Sequence, residues 1–250
     1  MGRRACLIVC DAAMSFAWVW AGALVKLLIR DALGLGHRPV GEALRLALSV
    51  AYMFVFAGFA RLTRGAAYNP LTVLSYAFSG GPDGFFFTAL GRIPAQANLL
   101  EVALINRVIG SVIGVKLIRE IFPTVGHGPH LSIDIHRGAW TEGLLTFVIV
   151  MVSQMLKKKD TNSFFMNTWI SSISKLTLHI LGSDLTGGVM NPASAFGWAF
   201  ARGDHIRLEH LIVYWFAPVQ ATLLGVWTFK LLTGPNSKQL KAGDHKDKSE

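Results

Sequence analysis

Charge is what this sequence has least of. Charged residues make up 16% of its 250 residues, against roughly 25% in soluble domains. Acids are the scarcer sign, with 15 Asp+Glu against 24 Lys+Arg and a formal net charge of +9. Cysteine is nearly missing: Cys6 and Cys10 are the two in the chain, one helical turn apart on an apolar stretch. They give no disulfide framework and no four-ligand metal set. Catalytic signatures are missing as well, with no His-Glu-x-x-His, no phosphate-cradling glycine loop and no Gly-x-Ser-x-Gly. An enzyme is not expected, nor is a cofactor. His127, His130 and His136 share one loop but have no acid or thiol scaffold beside them, so they read as solvated and no metal is expected.

What fills the chain instead is apolar, 52% of all residues. A soluble core of this size cannot hide so much surface. The expectation is an all-α polytopic membrane protein with the lipid bilayer as its solvent. In a soluble protein the basic excess would suggest nucleic acid. Here the cations cluster between long apolar runs, which fits a membrane surface and no nucleic-acid partner.

A helix needs about 20 mostly apolar residues to cross a bilayer. Six stretches qualify: 5–29, 44–60, 85–122, 139–156, 164–182 and 211–232. The first carries Asp11 and lacks a following small-residue cleavage site, so it does not read as a removable signal peptide. Six spans place both termini on one side. That side holds Arg3, Arg4, the Lys157–Lys159 cluster and the tail lysines, while the opposite loops hold Arg38, Arg119, Arg137, Arg202 and Arg207. The excess puts the termini in the cytosol. The tail, 234–250, is polar and rich in Lys and Gly, and reads as disordered.

Two further uncharged segments, 65–81 and 185–201, are too short to span. Each carries Asn-Pro, at Asn69-Pro70 and Asn191-Pro192. Asn caps a helix well, and Pro costs no hydrogen bond in the first turn. A single Asn-Pro is an ordinary helix-start signal. Two, at corresponding places in two halves, point to paired re-entrant loops in an inverted repeat with a site near the midplane. The first repeat is then 1–122, the connecting loop 123–138 and the second repeat 139–233. An acid with a hydroxyl one turn later precedes each segment: Asp11-x-x-x-Ser15 and Glu142-x-x-x-Thr146. A carboxylate inside a span is costly unless it finds donors in the bundle interior, so Asp11 and Glu142 are expected to brace the re-entrant backbone.

With these residues in view, the sequence resembles the aquaporin (major intrinsic protein) family over nearly its whole length. The carriers are Asn69-Pro70-Leu71, the stretch Thr186-Gly187-Gly188-Val189-Met190-Asn191-Pro192-Ala193, and the two acids. Leu71 stands where the family usually has Ala. That variant, the small size and the basic pI of about 9.8 resemble the plant small basic intrinsic proteins, in particular their second subgroup. The resemblance implies six tilted helices, two half-helices meeting at mid-membrane, a homotetramer, and one pore per subunit for water or small neutral solutes. The half-helix dipoles would turn their positive ends toward the pore centre, where the amides of Asn69 and Asn191 could donate to a passing water.

The family's second constriction uses four positions. Carried over by spacing from the Asn-Pro motifs, they fall on Ser49, His179, Gly188 and Ser194. The family usually has Arg where Ser194 stands. Three small side chains and no fixed cation imply a wide, weakly charged constriction, suited to broader neutral solutes or to weak water flow. A proton-coupled transporter would need a relay along the pore, and His179 is the one candidate found there. A non-conducting or weakly conducting structural protein of the endoplasmic reticulum is the alternative. The region 85–122 would be about 57 Å long as a helix, nearly twice what a bilayer needs. The stretch 97–107, with Glu101 and Arg107, reads as an insertion or a splicing difference, and it leaves the depth of the Gly110-x-x-x-Gly114 packing face open. Finally, Lys248 and Lys246 are the third and fifth residues counted from the end, which resembles a cytosolic dilysine retrieval signal of reticulum membrane proteins.

Overall fold

The computed structural model describes residues 3–36, 38–80, 100–159 and 163–234, without the side chains of 3–5 and 100–109. The two tail lysines, residues 81–99 and the first part of the 97–107 stretch lie outside these. Every regular element among the described residues is helical. Helix α1 (Arg3–Leu27) runs on into a π-helical turn, Leu28–Ala32. Then come α2 (Pro39–Leu62), α3 (Pro70–Phe78), α4 (Leu100–Ile121), α5 (Ile135–Lys158), α6 (Phe164–Gly182) and α7 (Pro192–Arg202). The last span is α8 (Leu208–Leu211), a π-helical turn at Ile212–Phe216, and α9 (Ala217–Thr233). Pro218 lacks the N–H that would return to the carbonyl of Tyr214, and the wider turn falls at this point.

Four of these spans, Cys6–Ala32, Pro39–Leu62, Ile135–Lys158 and Leu208–Thr233, are long and apolar enough to cross a bilayer by composition. Helices α4 and α6 carry more polar residues, among them Lys116, Arg119 and Lys175. The short helices α3 and α7 are the expected half-helices, starting at Pro70 and Pro192.

Packing follows the inverted repeat. Within each half the first and third spans pair, α1 with α4 and α5 with α8–α9. Gly110 and Gly114 form the contact in the first half. A Cβ on Gly110 would collide with the Ala12 carbonyl, and one on Gly114 would lie 2.6 Å from Val19 Cγ2. The Gly-x-x-x-Gly face therefore meets α1, and the indole N–H of Trp20 donates to the Gly114 carbonyl at 3.0 Å. In the second half, Gly225 packs on Val150.

Each half-helix packs against the third span of the other half, α7 on α4 and α3 on α9. At Gly197 of α7 the approach is so close that a Cβ would lie 2.8 Å from the Ser111 carbonyl of α4. The far ends are capped in the same crossed fashion. Arg119 of α4 donates to the Ala201 carbonyl near the end of α7, and Lys230 of α9 donates to the Phe78 carbonyl at the end of α3. A cation there complements the negative end of the half-helix dipole and satisfies an orphan carbonyl.

Candidate pore

Asn69 and Asn191 are the caps of the two half-helices, both with extended backbone. The Asn69 carbonyl oxygen of the side chain accepts from the Leu71 N–H at 3.0 Å, and that of Asn191 accepts from the Ser194 N–H at 3.4 Å. Pro70, Leu71, Pro192 and Ala193 are buried behind them. The two amide nitrogens differ, which the sequence did not suggest. Asn69 Nδ2 donates to the Met190 carbonyl at 2.7 Å, tying the first re-entrant loop to the second. Asn191 Nδ2 is buried with no partner among the described residues. Of two expected free donors, one is partly spent inside the protein.

The buried acids sit behind these loops. Glu142, wholly buried, accepts from the Thr186 hydroxyl at 2.7 Å and from the Val189 and Met190 N–H groups at 2.8 Å each. In the first half, Asp11 accepts from the Ala67 N–H at 2.6 Å, and the Ser15 hydroxyl donates to the Tyr68 carbonyl at 3.1 Å. The hydroxyl partner is not symmetrical: Thr146 Oγ1 is buried without a partner among the described residues. Met190 shows why the second loop needs support. Its φ is +46°, a left-handed conformation costly for a side chain of this size. Glu142 holds its N–H and Asn69 holds its carbonyl, so both polar groups of the strained residue are fixed.

One cavity of about 690 Å³ is lined by Ser49, His179, Gly188 and Ser194 together. Ser49 comes from α2, His179 from α6, Gly188 from the second re-entrant loop and Ser194 from the first turn of α7. Gly188 has φ +51°, and a Cβ on it would lie 2.6 Å from the His179 carbonyl, so no larger residue fits. His179 Nδ1 lies 3.2 Å from the Gly188 carbonyl. A carbonyl only accepts, so Nδ1 carries the proton of that bond and fixes the ring.

The structure adds a residue that the sequence reading left out. Lys175, one turn before His179 on α6, also lines the cavity. Its Nζ donates to the Tyr68 hydroxyl at 3.1 Å and lies 4.4 Å from the ring centre of Trp18 and 4.8 Å from that of Tyr68. His179 is thus not the one ionisable side chain of the pore wall. The i, i+4 spacing from His179 was the available signal. Trp18 and Tyr68 stack nearly parallel at 3.8 Å, with Tyr52 edge-on to Trp18 at 5.2 Å, and form the aromatic wall beside the ammonium. Among the described residues, no group of three or more His, Cys, Asp or Glu is placed to hold a metal ion.

The family described as Major intrinsic protein matches residues 93–229. A protein named Aquaporin SIP2-1 from Zea mays is 55% identical over 250 residues, covering 99% of this chain and 96% of its own. A Probable aquaporin SIP2-1 from Arabidopsis thaliana is 50% identical over 240 residues, 96% of each chain. Aquaporin SIP1-2 from Zea mays is more distant, 31% identical over 258 residues. Among solved structures, the aquaglyceroporin from Plasmodium falciparum superposes with a TM-score of 0.62, covering 92% of this chain and 95% of its own. At 14% identity that likeness speaks for the fold alone.

Proposed function

Because the chain belongs to the major intrinsic protein (aquaporin) family, we propose that its pore passes water and small neutral solutes through a wide, atypical constriction. The observation that carries this reading is the meeting of Ser49, His179, Gly188 and Ser194 on one cavity, from four separate elements. Three of the four are small, which supports passage of solutes larger than water. Asn69, Pro70, Leu71, Asn191, Pro192 and Ala193 make the pore centre on this reading, and Asp11 and Glu142 hold its loops. The working unit is a homotetramer in the endoplasmic reticulum membrane, with cytosolic termini and the retrieval signal at Lys246 and Lys248.

A second reading, a weakly conducting or non-conducting reticulum protein, draws support from Asn69. Its amide nitrogen serves the Met190 carbonyl, which leaves fewer donors for a passing water. Water and glycerol permeability of vesicles holding equal amounts of wild type and Ser194→Arg separates the readings. The variant is expected to pass less glycerol while water flux falls less, since a cation narrows the site and offers water replacement donors. If neither solute crosses faster than in empty vesicles, the channel reading loses to the second one.

A further inference from the structure

Four cations line the cavity: Lys26, Arg30, Arg45 and Lys175. Three are served by strong acceptors on the protein. Arg30 pairs with Asp31 at 2.6 Å, Arg45 pairs with Glu42 at 2.7 Å, and Lys26 donates to the Val125 carbonyl at 2.9 Å. Lys175 has a neutral phenol and two ring faces, and no carboxylate at ion-pair distance among the described residues. Ring faces favour an ammonium but do not cancel its charge. An ammonium also carries three N–H donors, and the Tyr68 hydroxyl takes one. The remaining neighbour is the cavity.

The placement matters. Lys175 lies one turn along α6 from His179, and the hydroxyl that accepts from its ammonium belongs to Tyr68, the residue before Asn69. The positive charge thus sits beside the first Asn-Pro loop, where the α3 dipole already presents its positive end. Membrane-embedded charges without a protein counter-ion mark solute pathways. Ser194 carries no charge, and among the cations on this cavity Lys175 of α6 is the one with neither a carboxylate nor a carbonyl acceptor among the described residues.

We propose that Lys175 is the specificity-determining residue of the pore: it seats a small monovalent anion in the cavity and bars cations from passing. Tyr68 and Trp18 hold the ammonium in place, and the anion completes its unfilled donors. A carboxylate as small as formate matches two N–H donors and enters a cavity of about 690 Å³ without obstruction. Neutral solutes pass without being held there, because their oxygen acceptors compete with water on equal terms. The proposal rests on the channel reading for its transport consequence, though not for its binding consequence.

The binding test uses the purified full chain in detergent. Melting temperature is measured in sodium formate and in sodium gluconate, a bulkier carboxylate whose hydroxyl-bearing chain must be desolvated to reach Lys175, at equal ionic strength. Formate should raise the melting temperature of wild type and Lys175→Arg above the gluconate value by a few degrees. Lys175→Gln should show no difference between the salts, and Lys175→Met serves as a second neutral variant should that one fold poorly. No formate effect in wild type, or the same effect in both neutral variants, overturns the proposal. In vesicles, Lys175→Gln should raise potassium permeability relative to glycerol flux about tenfold, the order expected from removing a unit charge near the path. Glycerol flux with equal potassium exclusion in the two proteins also overturns it. Absent glycerol flux in wild type defeats the channel reading instead, and the melting comparison still decides the role of Lys175.

Discussion

Replacing Glu142 by Ala removes one acceptor from three donors at once. The Thr186 hydroxyl and the Val189 N–H share one carboxylate oxygen, and the Met190 N–H has the other. Hydrogen bonds to a charged group contribute about 1.5–3 kcal/mol each, so three give an upper bound of roughly 5–9 kcal/mol. The bonds share one side chain and are not additive, and the loop can turn some donors toward water in the cavity, so about 3–5 kcal/mol is the working expectation. At ~2–4 °C per kcal/mol for a chain of this size, the melting temperature in detergent falls by about 10 °C. Glu142→Gln keeps the oxygen with two bonds and sets an amide donor against the Met190 N–H. It should cost ~1–3 kcal/mol, less than Ala. The neighbouring Thr146 is the control. Its hydroxyl is buried and unpartnered among the described residues, so Thr146→Val should leave stability unchanged or raise it. The assay is thermal unfolding followed by loss of the monodisperse species. An Ala variant as stable as wild type, or one milder than Gln, refutes the view that this carboxylate holds the second loop.

Gly188→Ala should destabilise strongly and block solute passage, because its Cβ would lie 2.6 Å from the His179 carbonyl at a φ of +51°; melting and glycerol flux check it. Arg119→Met should lower thermal stability by ~1 kcal/mol or more, since it uncovers the Ala201 carbonyl at the end of a half-helix, and Lys230→Met should act alike through Phe78. In the connecting loop, the Arg137 N–H donates to Asp134 and holds its carboxyl below the ordinary carboxylate value. A lowered folded-state value stabilises above the unfolded value of about 3.9 and loses that contribution as pH falls through the folded value. Wild type should therefore lose melting temperature more steeply below about pH 4 than Asp134→Asn, whose amide caps the helix at any pH. Replacing Lys246 and Lys248 together by Ser should release the protein from the endoplasmic reticulum to later membranes, seen by fluorescence microscopy; unchanged retention rejects the retrieval signal.

The elements that sequence made legible are those announced by local chemistry. Asn-Pro declares a capped helix start, so α3 and α7 begin where their prolines stand. An acid in an apolar run declares a need for donors, and Asp11 and Glu142 both meet loop N–H groups. Span ends were less legible. Helix α2 starts at Pro39, before the apolar run, because Arg38 and Pro39 set a helix start in polar sequence. What stayed hidden depends on partners far along the chain. Asn69 and Met190 are 121 residues apart, and Arg119 and Lys230 read as ordinary span-end cations until their carbonyl partners in the other half are seen. Lys175 escaped for a related reason: no motif surrounds it, and its meaning comes from Trp18 and Tyr68, which lie on other elements.

The distribution of charge explains how so sparse a set of ions can govern a pore. Around the two Asn-Pro loops, the carboxylates Asp11 and Glu142 stand against the ammonium of Lys175 and two half-helix N-termini of roughly half a unit charge each, while Lys26, Arg30 and Arg45 keep partners of their own in Val125, Asp31 and Glu42. The sum is near zero, so assembling the set in a bilayer costs far less than burying any member alone. The order in space is not neutral. The carboxylates lie behind the loops with their oxygens committed to backbone N–H groups and the Thr186 hydroxyl. Lys175 lines the cavity, and Asn191 Nδ2, without a partner among the described residues, lies at the start of α7. Negative charge is thus consumed in holding the wall while positive charge is presented to the solute. On the proposed role of Lys175, a cation on α6 in place of one at the Ser194 position would preserve that polarity and leave a wider passage. On that proposal a chain can lose the family's usual arginine and keep a cation-excluding field, provided Glu142 and Asp11 remain behind the loops.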